Sequence, residues 1–136
     1  RTVPQGMTAM LNFDPEAAPE ENAVNMMAAA EKVATGLITY AARDSEFDGK
    51  KIKQGEYLSL CEGKLCANGK ETSVLKKLAR EMVSDDSAFA TVIFGEGVTE
   101  EQAAEVENLL HKENKEMEIN VINGGQPVYY YIISVE

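Results

Sequence analysis

At 136 residues, with 23 acidic against 13 basic side chains and a formal charge of -10, the chain fits one acidic domain long enough to bury its own core. It has no apolar run near the ~18 residues a spanning helix needs, and its negative balance argues against binding phosphate backbones or anionic lipid. Two cysteines make no disulfide framework and no stretch reads as a signal peptide, so we expect a cytoplasmic, reduced protein.

The chain opens on RTVPQG, with Arg1 in first position, and reads as a fragment of a longer polypeptide. Pro4-Gln5-Gly6 predicts a tight polar turn, and TAMLNF (8–13) has the length and composition of a strand that Asp14-Pro15 ends. Pro19 suits the first turn of a helix, and Glu20-Glu21 favour its positive end. Ala23, Met26, Met27, Ala30 and Val33 recur at helical spacing as its apolar face, with Gly36 as the stop.

GLITYAA then reads as a strand, followed by the segments KKIKQ, EYLSLC and KLCA. Asp48-Gly49, Glu62-Gly63 and Asn68-Gly69 punctuate them, as turns punctuate hairpins. A helix beginning near Thr72 or Ser73 presents Leu75, Leu78, Ala79 and Met82 on one face and ends at SDDS. FATVIF (89–94) is a buried strand, and Thr99 with Gln102 has the spacing of a capping box. Ala103, Val106, Leu109 and Leu110 mark the next helix, EMEINVI alternates as a strand, and YYYIISV closes the chain. The reading is one compact α/β domain over residues 1–136, with a mixed sheet and about three helices. Its order is β-α-β, short hairpins, then α-β-α-β-β.

Catalytic motifs are scarce. Gly95-Glu96-Gly97 lies between a strand and a helix and could hold an anion on its amides, but Glu96 and the lack of a nearby base favour a plain loop. Cys61 and Cys66 fall short of the roughly four ligands zinc takes, because the single histidine, His111, sits on another helix. His111 suits a helix C-terminus, and Asp85-Asp86 a capped exposed loop. We therefore expect no catalytic or metal-binding residue in this chain.

Three features stand apart. Arg43-Asp44 marks where a strand leaves the core and reads first as a turn salt pair. Pro4-Gln5-Gly6 is the second, and GGQPVYYY the third. In strand alternation Tyr129 and Tyr131 share one face and Tyr130 takes the other, so at least one tyrosine should reach water or a partner.

PQGMTAMLNFDPE, TYAARDSEFDGKKIKQGEYLSL and GGQPVYYYIISVE, in this order from residue 3 to 136, resemble the C-terminal region of the bacterial fatty acid kinase ATP-binding subunit. Its family is also described as dihydroxyacetone-kinase-like fusion proteins. The resemblance implies a phosphotransferase parent in lipid metabolism, with ATP and magnesium held on an N-terminal domain outside this chain. It implies a C-terminal domain that starts upstream of Arg1 and engages a fatty-acid-binding, DegV-like subunit whose acyl carboxylate is phosphorylated. On that pattern the partner-binding candidates are Arg43, Asp44, Gln126 and Tyr129, while Pro4, Gly6, Gly124, Gly125 and Pro127 fix turns. The expected function is a non-catalytic docking domain. The rivals are a small-molecule-sensing regulatory domain and, last, a hydrolase using paired carboxylates.

Overall fold

The computed structural model describes residues 1–136. Two helices come first, α1 (Val3–Leu11) and α2 (Pro19–Glu31). Strands β1 (Ala34–Tyr40), β2 (Ser45–Phe47), β3 (Lys50–Ile52), β4 (Tyr57–Cys61) and β5 (Lys64–Gly69) follow. Helix α3 (Glu71–Met82), β6 (Phe89–Phe94), α4 (Glu100–Glu113), β7 (Glu118–Asn123) and β8 (Tyr131–Val135) complete the chain.

Six strands form one sheet in the order β5-β4-β1-β8-β6-β7, and β2 and β3 form a separate hairpin. Only β6 and β7 run parallel, because α4 carries the chain back between them; every other pairing is antiparallel. The last strand, β8, lies in the middle of the sheet, between β1 and β6.

Helices α3 and α4 cover one face. Val74, Leu75, Leu78, Ala79 and Met82 from α3 and Ala103, Val106 and Leu110 from α4 pack on Ile38, Val92, Phe94, Tyr131, Ile133 and Val135. Alternation sends their neighbours to the other face. There Leu65, Leu60, Leu37, Ile132, Ile93 and Ile122 stand in register, one per strand, as an aliphatic row of which none is buried.

The single α/β domain with a mixed sheet is as the sequence predicts, and four helices take the place of about three. The added helix is α1, where residues 8–13 were expected to form a strand. Thr2 caps it: Thr2 Oγ1 accepts from the Gln5 amide, and the Gln5 side chain accepts from the Thr2 amide, a complete capping box. Pro4 fits the first turn, and Gly6 lies inside the helix, so neither makes the turn expected of them.

Gly36 is no helix stop but a β1 residue under α3, where a Cβ would stand 2.9 Å from a Leu78 methyl. Asp48-Gly49 and Glu62-Gly63 make hairpin turns with both residues left-handed, φ 50° and 75°, then 51° and 78°. Asn68-Gly69 instead ends β5.

Candidate functional site

At one end of the sheet β1, β6 and β7 finish and β8 begins, so the loops 95–97 and 124–130 meet the residues after Thr39. Between them opens a cleft of about 710 Å³, lined by Tyr40, Gly95, Glu96, Gln126, Val128 and Tyr129 among others.

Gln126 holds this end together. Its Nε2 donates to the Ile93 carbonyl at 3.1 Å and to the Tyr129 carbonyl at 3.2 Å, tying the loop to β6 and to the start of β8. Two carbonyl acceptors fix which end of the amide faces them. The buried Gln126 Oε1 is thereby left without a partner. Gly124 and Gly95 give the loop room: a Cβ on Gly95 would stand 2.5 Å from the carbonyl oxygens of Gln126 and Tyr129, and one on Gly124 would meet Ile93 at 2.5 Å. Gly125 turns the chain at φ 60°, Val128 does so at φ 72°, and the exposed Pro127 lies between.

Val128 is unusual. A β-branched residue rarely adopts a left-handed backbone, and the surroundings must hold it there. Thr39 Oγ1 donates to the Val128 carbonyl at 2.9 Å, the Tyr129 amide donates to the Pro127 carbonyl, and the Tyr130 amide donates to the Ile38 carbonyl. The Val128 side chain is 67% exposed at the cleft rim, beside Tyr40 at 48%.

The tyrosines do not alternate as the sequence suggested. Regular strand begins only at Tyr131, so Tyr130 is not yet bound to its period. Tyr131 is buried beneath α3 and α4, and Tyr130 packs on that same core with its ring 5.7 Å from Tyr40 and 5.4 Å from Tyr57. Tyr129, half-buried, lines the cleft. Burial, with Glu71 and Glu105 adding to it, pushes the Tyr131 phenol well above its usual value, so it stays neutral.

Gln126 and Tyr129 thus share the cleft, and Arg43 and Asp44 follow directly after Ala42 on its wall. The two do not pair. Asp44 accepts from the Gln54 amide at 2.7 Å, and exposed Arg43 takes part in neither ion pair of the structure, Arg1–Glu31 or Arg80–Glu113. Pro4 and Gly6 lie apart on α1. Sequence reasoning passed over Tyr40, Thr39 and Val128, whose position depends on a contact across 89 residues.

The other candidates have structural roles. The Gly95, Glu96 and Gly97 amides donate to the carbonyls of Tyr130, Gln126 and Gly95, which leaves them unavailable to an anion. His111 Nε2 meets the Met117 carbonyl at 3.1 Å. The Asn114 side chain donates to the carbonyls of Ser84, Asp85 and Ser87, fastening the SDDS loop that carries Asp85 and Asp86. Cys61 and Cys66 are free thiols at the edge of the core, and burial, then Glu62, raises the Cys61 pKa. No three His, Cys, Asp or Glu side chains converge as a metal site requires.

The FakA-like C-terminal family model, which describes the C-terminal part of the A-like component of fatty acid kinase, matches residues 1–136. Among curated proteins, YloV of Bacillus subtilis is 37% identical over 137 residues, covering 100% of this chain and 25% of that protein. Protein SH1689 of Staphylococcus haemolyticus is 35% identical over 136 residues, covering 99% of this chain and again 25% of the relative. The chain therefore spans a quarter of the length of these relatives.

Among solved structures, the fatty acid binding DegV family protein SAG1342 from Streptococcus agalactiae superposes with a TM-score of 0.59 at 16% identity, over 97% of this chain and 54% of that one. The DegV family protein Cg2579 from Corynebacterium glutamicum gives 0.62 at 15% identity, over 97% and 58%. At such identities the likeness is one of fold. The whole-chain family match and the relatives above 30% identity settle membership: the chain belongs to the FakA-like C-terminal family of fatty acid kinase proteins.

Proposed function

We propose that this chain is the non-catalytic docking domain of a fatty acid kinase. It would seat a DegV-like, fatty-acid-carrying protein so that ATP and magnesium, held on another domain of the parent phosphotransferase, reach the acyl carboxylate. Docking would supply proximity, making phosphoryl transfer between two proteins nearly intramolecular.

The observation that carries this reading is the cleft rim. Val128 is held exposed in a left-handed conformation beside Tyr40, with Tyr129 in the wall and the unpaired Arg43 close along the chain. Aromatic groups with a nearby arginine are what protein interfaces concentrate, and a pre-ordered loop loses little entropy on docking. The test is calorimetric titration of the chain with a DegV-like protein loaded with fatty acid. Saturable one-to-one binding that weakens in Tyr129→Ala and Arg43→Ala is expected. No binding by the folded chain would rule the reading out, and unchanged affinity in both variants would move the contact elsewhere.

The cleft volume favours one rival, a small-molecule-sensing domain, because about 710 Å³ lies within the range of ligand pockets. A metabolite that raises the melting temperature without any protein partner, with the effect lost in Tyr129→Ala, would establish it.

A further inference from the structure

We infer that the apolar outer surface of the α1–α2 hairpin is the seat of a segment of this protein's own polypeptide lying upstream of Arg1. Helix α1, VPQGMTAML, carries no charged residue, yet only Pro4 and Gln5 in it are buried. Leu11 is 85% exposed and Met10 72%, and Val3, Phe13, Val24 and Met27 are each more than half exposed. The predicted apolar face of α2 fares no better, since Asn22 and Ala30 are its only buried residues. A helix apolar on every side belongs in a core, and contiguous exposed apolar surface on an acidic protein marks a contact.

Three observations choose the occupant. Between α1 and α2 runs an apolar groove of about 320 Å³, floored by Gly6, Ala9, Ala23 and Ala30, and Arg1 itself lines it. Arg1 is anchored there by Glu31 at 3.8 Å, and Thr2 shares a 2.7 Å hydrogen bond with Thr35, so a chain arriving at Arg1 is delivered onto the apolar surface. A tethered segment has a high effective concentration at such a place.

There is also chain enough to fill it. This region is 25% of the length of its relatives and 54% to 58% of the DegV folds it matches. A second copy is disfavoured by charge: each carries a formal -10, and α2 would bring Glu20, Glu21 and Glu31 against their own images. The inference does not depend on the cleft or on docking.

The methionines report the answer. Met7, Met10 and Met27 are exposed, while Met82 and Met117 are buried and serve as internal standards. Dilute peroxide, with each sulfoxide quantified by peptide mass spectrometry, is applied to the 136-residue chain and to the full-length polypeptide, each alone at low concentration. In the short chain Met7, Met10 and Met27 oxidise much faster than the standards. In the full-length protein they fall several-fold, toward the standards.

As a second reading, Leu11→Lys leaves the melting temperature of the short chain unchanged and lowers that of the full-length protein. Equal oxidation in both chains overturns the inference. So does protection that appears only on raising the concentration, which assigns the surface to a second copy, or only on adding a DegV-like protein, which assigns it to that partner.

Discussion

Gly95 passes so close beneath Gln126 that a Cβ on the glycine would stand 2.5 Å from the Gln126 carbonyl oxygen, while the Glu96 amide donates to that same oxygen at 3.1 Å. The neighbour is backbone and has little freedom to move. Gly95→Ala should therefore destabilise the fold by roughly 1–3 kcal/mol, the usual cost of overpacking. Gly97→Ala is the control, since its new methyl meets only the Tyr130 ring at 3.5 Å. Urea midpoints of the two variants against the parent check this.

Gln126→Leu keeps much of the side-chain volume and removes both donors, leaving the Ile93 and Tyr129 carbonyls without that bond. A loss of about 1–3 kcal/mol is expected, the desolvation cost of unpaired buried acceptors. Hydrogen exchange should show faster opening at Gly124 and Gly125, whose amides donate to Phe94 in the same corner.

Val128 separates stability from contact. Val128→Asn suits φ 72° better and removes an exposed apolar side chain. Stability should hold or rise by up to about 1 kcal/mol, while affinity for a docked partner falls. A drop in melting temperature would show that the valine side chain packs for stability.

The capping box of α4 gives a local test. Thr99→Ala removes the acceptor of the Gln102 amide and should cost about 1 kcal/mol. Thermal unfolding measures it, and partner affinity should not change.

Acid should destabilise the domain partly through Glu56. The Lys53 amide and then the Asn68 side chain hydrogen-bond its carboxylate and hold its pKa below the ordinary 4.5. A depressed folded value favours the ionised form. The contribution is thus present above the ordinary value and lost as the pH falls through the lowered one. Glu56→Gln should flatten that part of the acid limb, read as urea midpoints between neutral and acid pH.

Elements built on local rules were legible. FATVIF is β6 at its predicted bounds, and Thr99 and Gln102 cap α4 as their spacing requires. The Asp-Gly and Glu-Gly turns hold left-handed pairs. Thr2 and Gln5 offered the same capping spacing, but Pro4 and Gly6 between and beside them read as a turn, so α1 went unrecognised. The candidate site was half legible: GGQP stood out as a broken strand pattern, yet nothing near it named Thr39, Tyr40 or Gly95 as its neighbours.

The sequence alone determined what depends on neighbours a few residues apart: the periods of α3 and α4, their caps, the hairpin turns, the acidic surface and the family. Tertiary structure decided the rest. It placed β8 between β1 and β6, brought Thr39 to Val128 across 89 residues and Gln126 to Ile93 across 33, and turned Tyr130 onto the core beside Tyr131. These contacts follow from which strands pair. Pairing is selected by the burial of a whole face at once, which no single stretch of residues encodes.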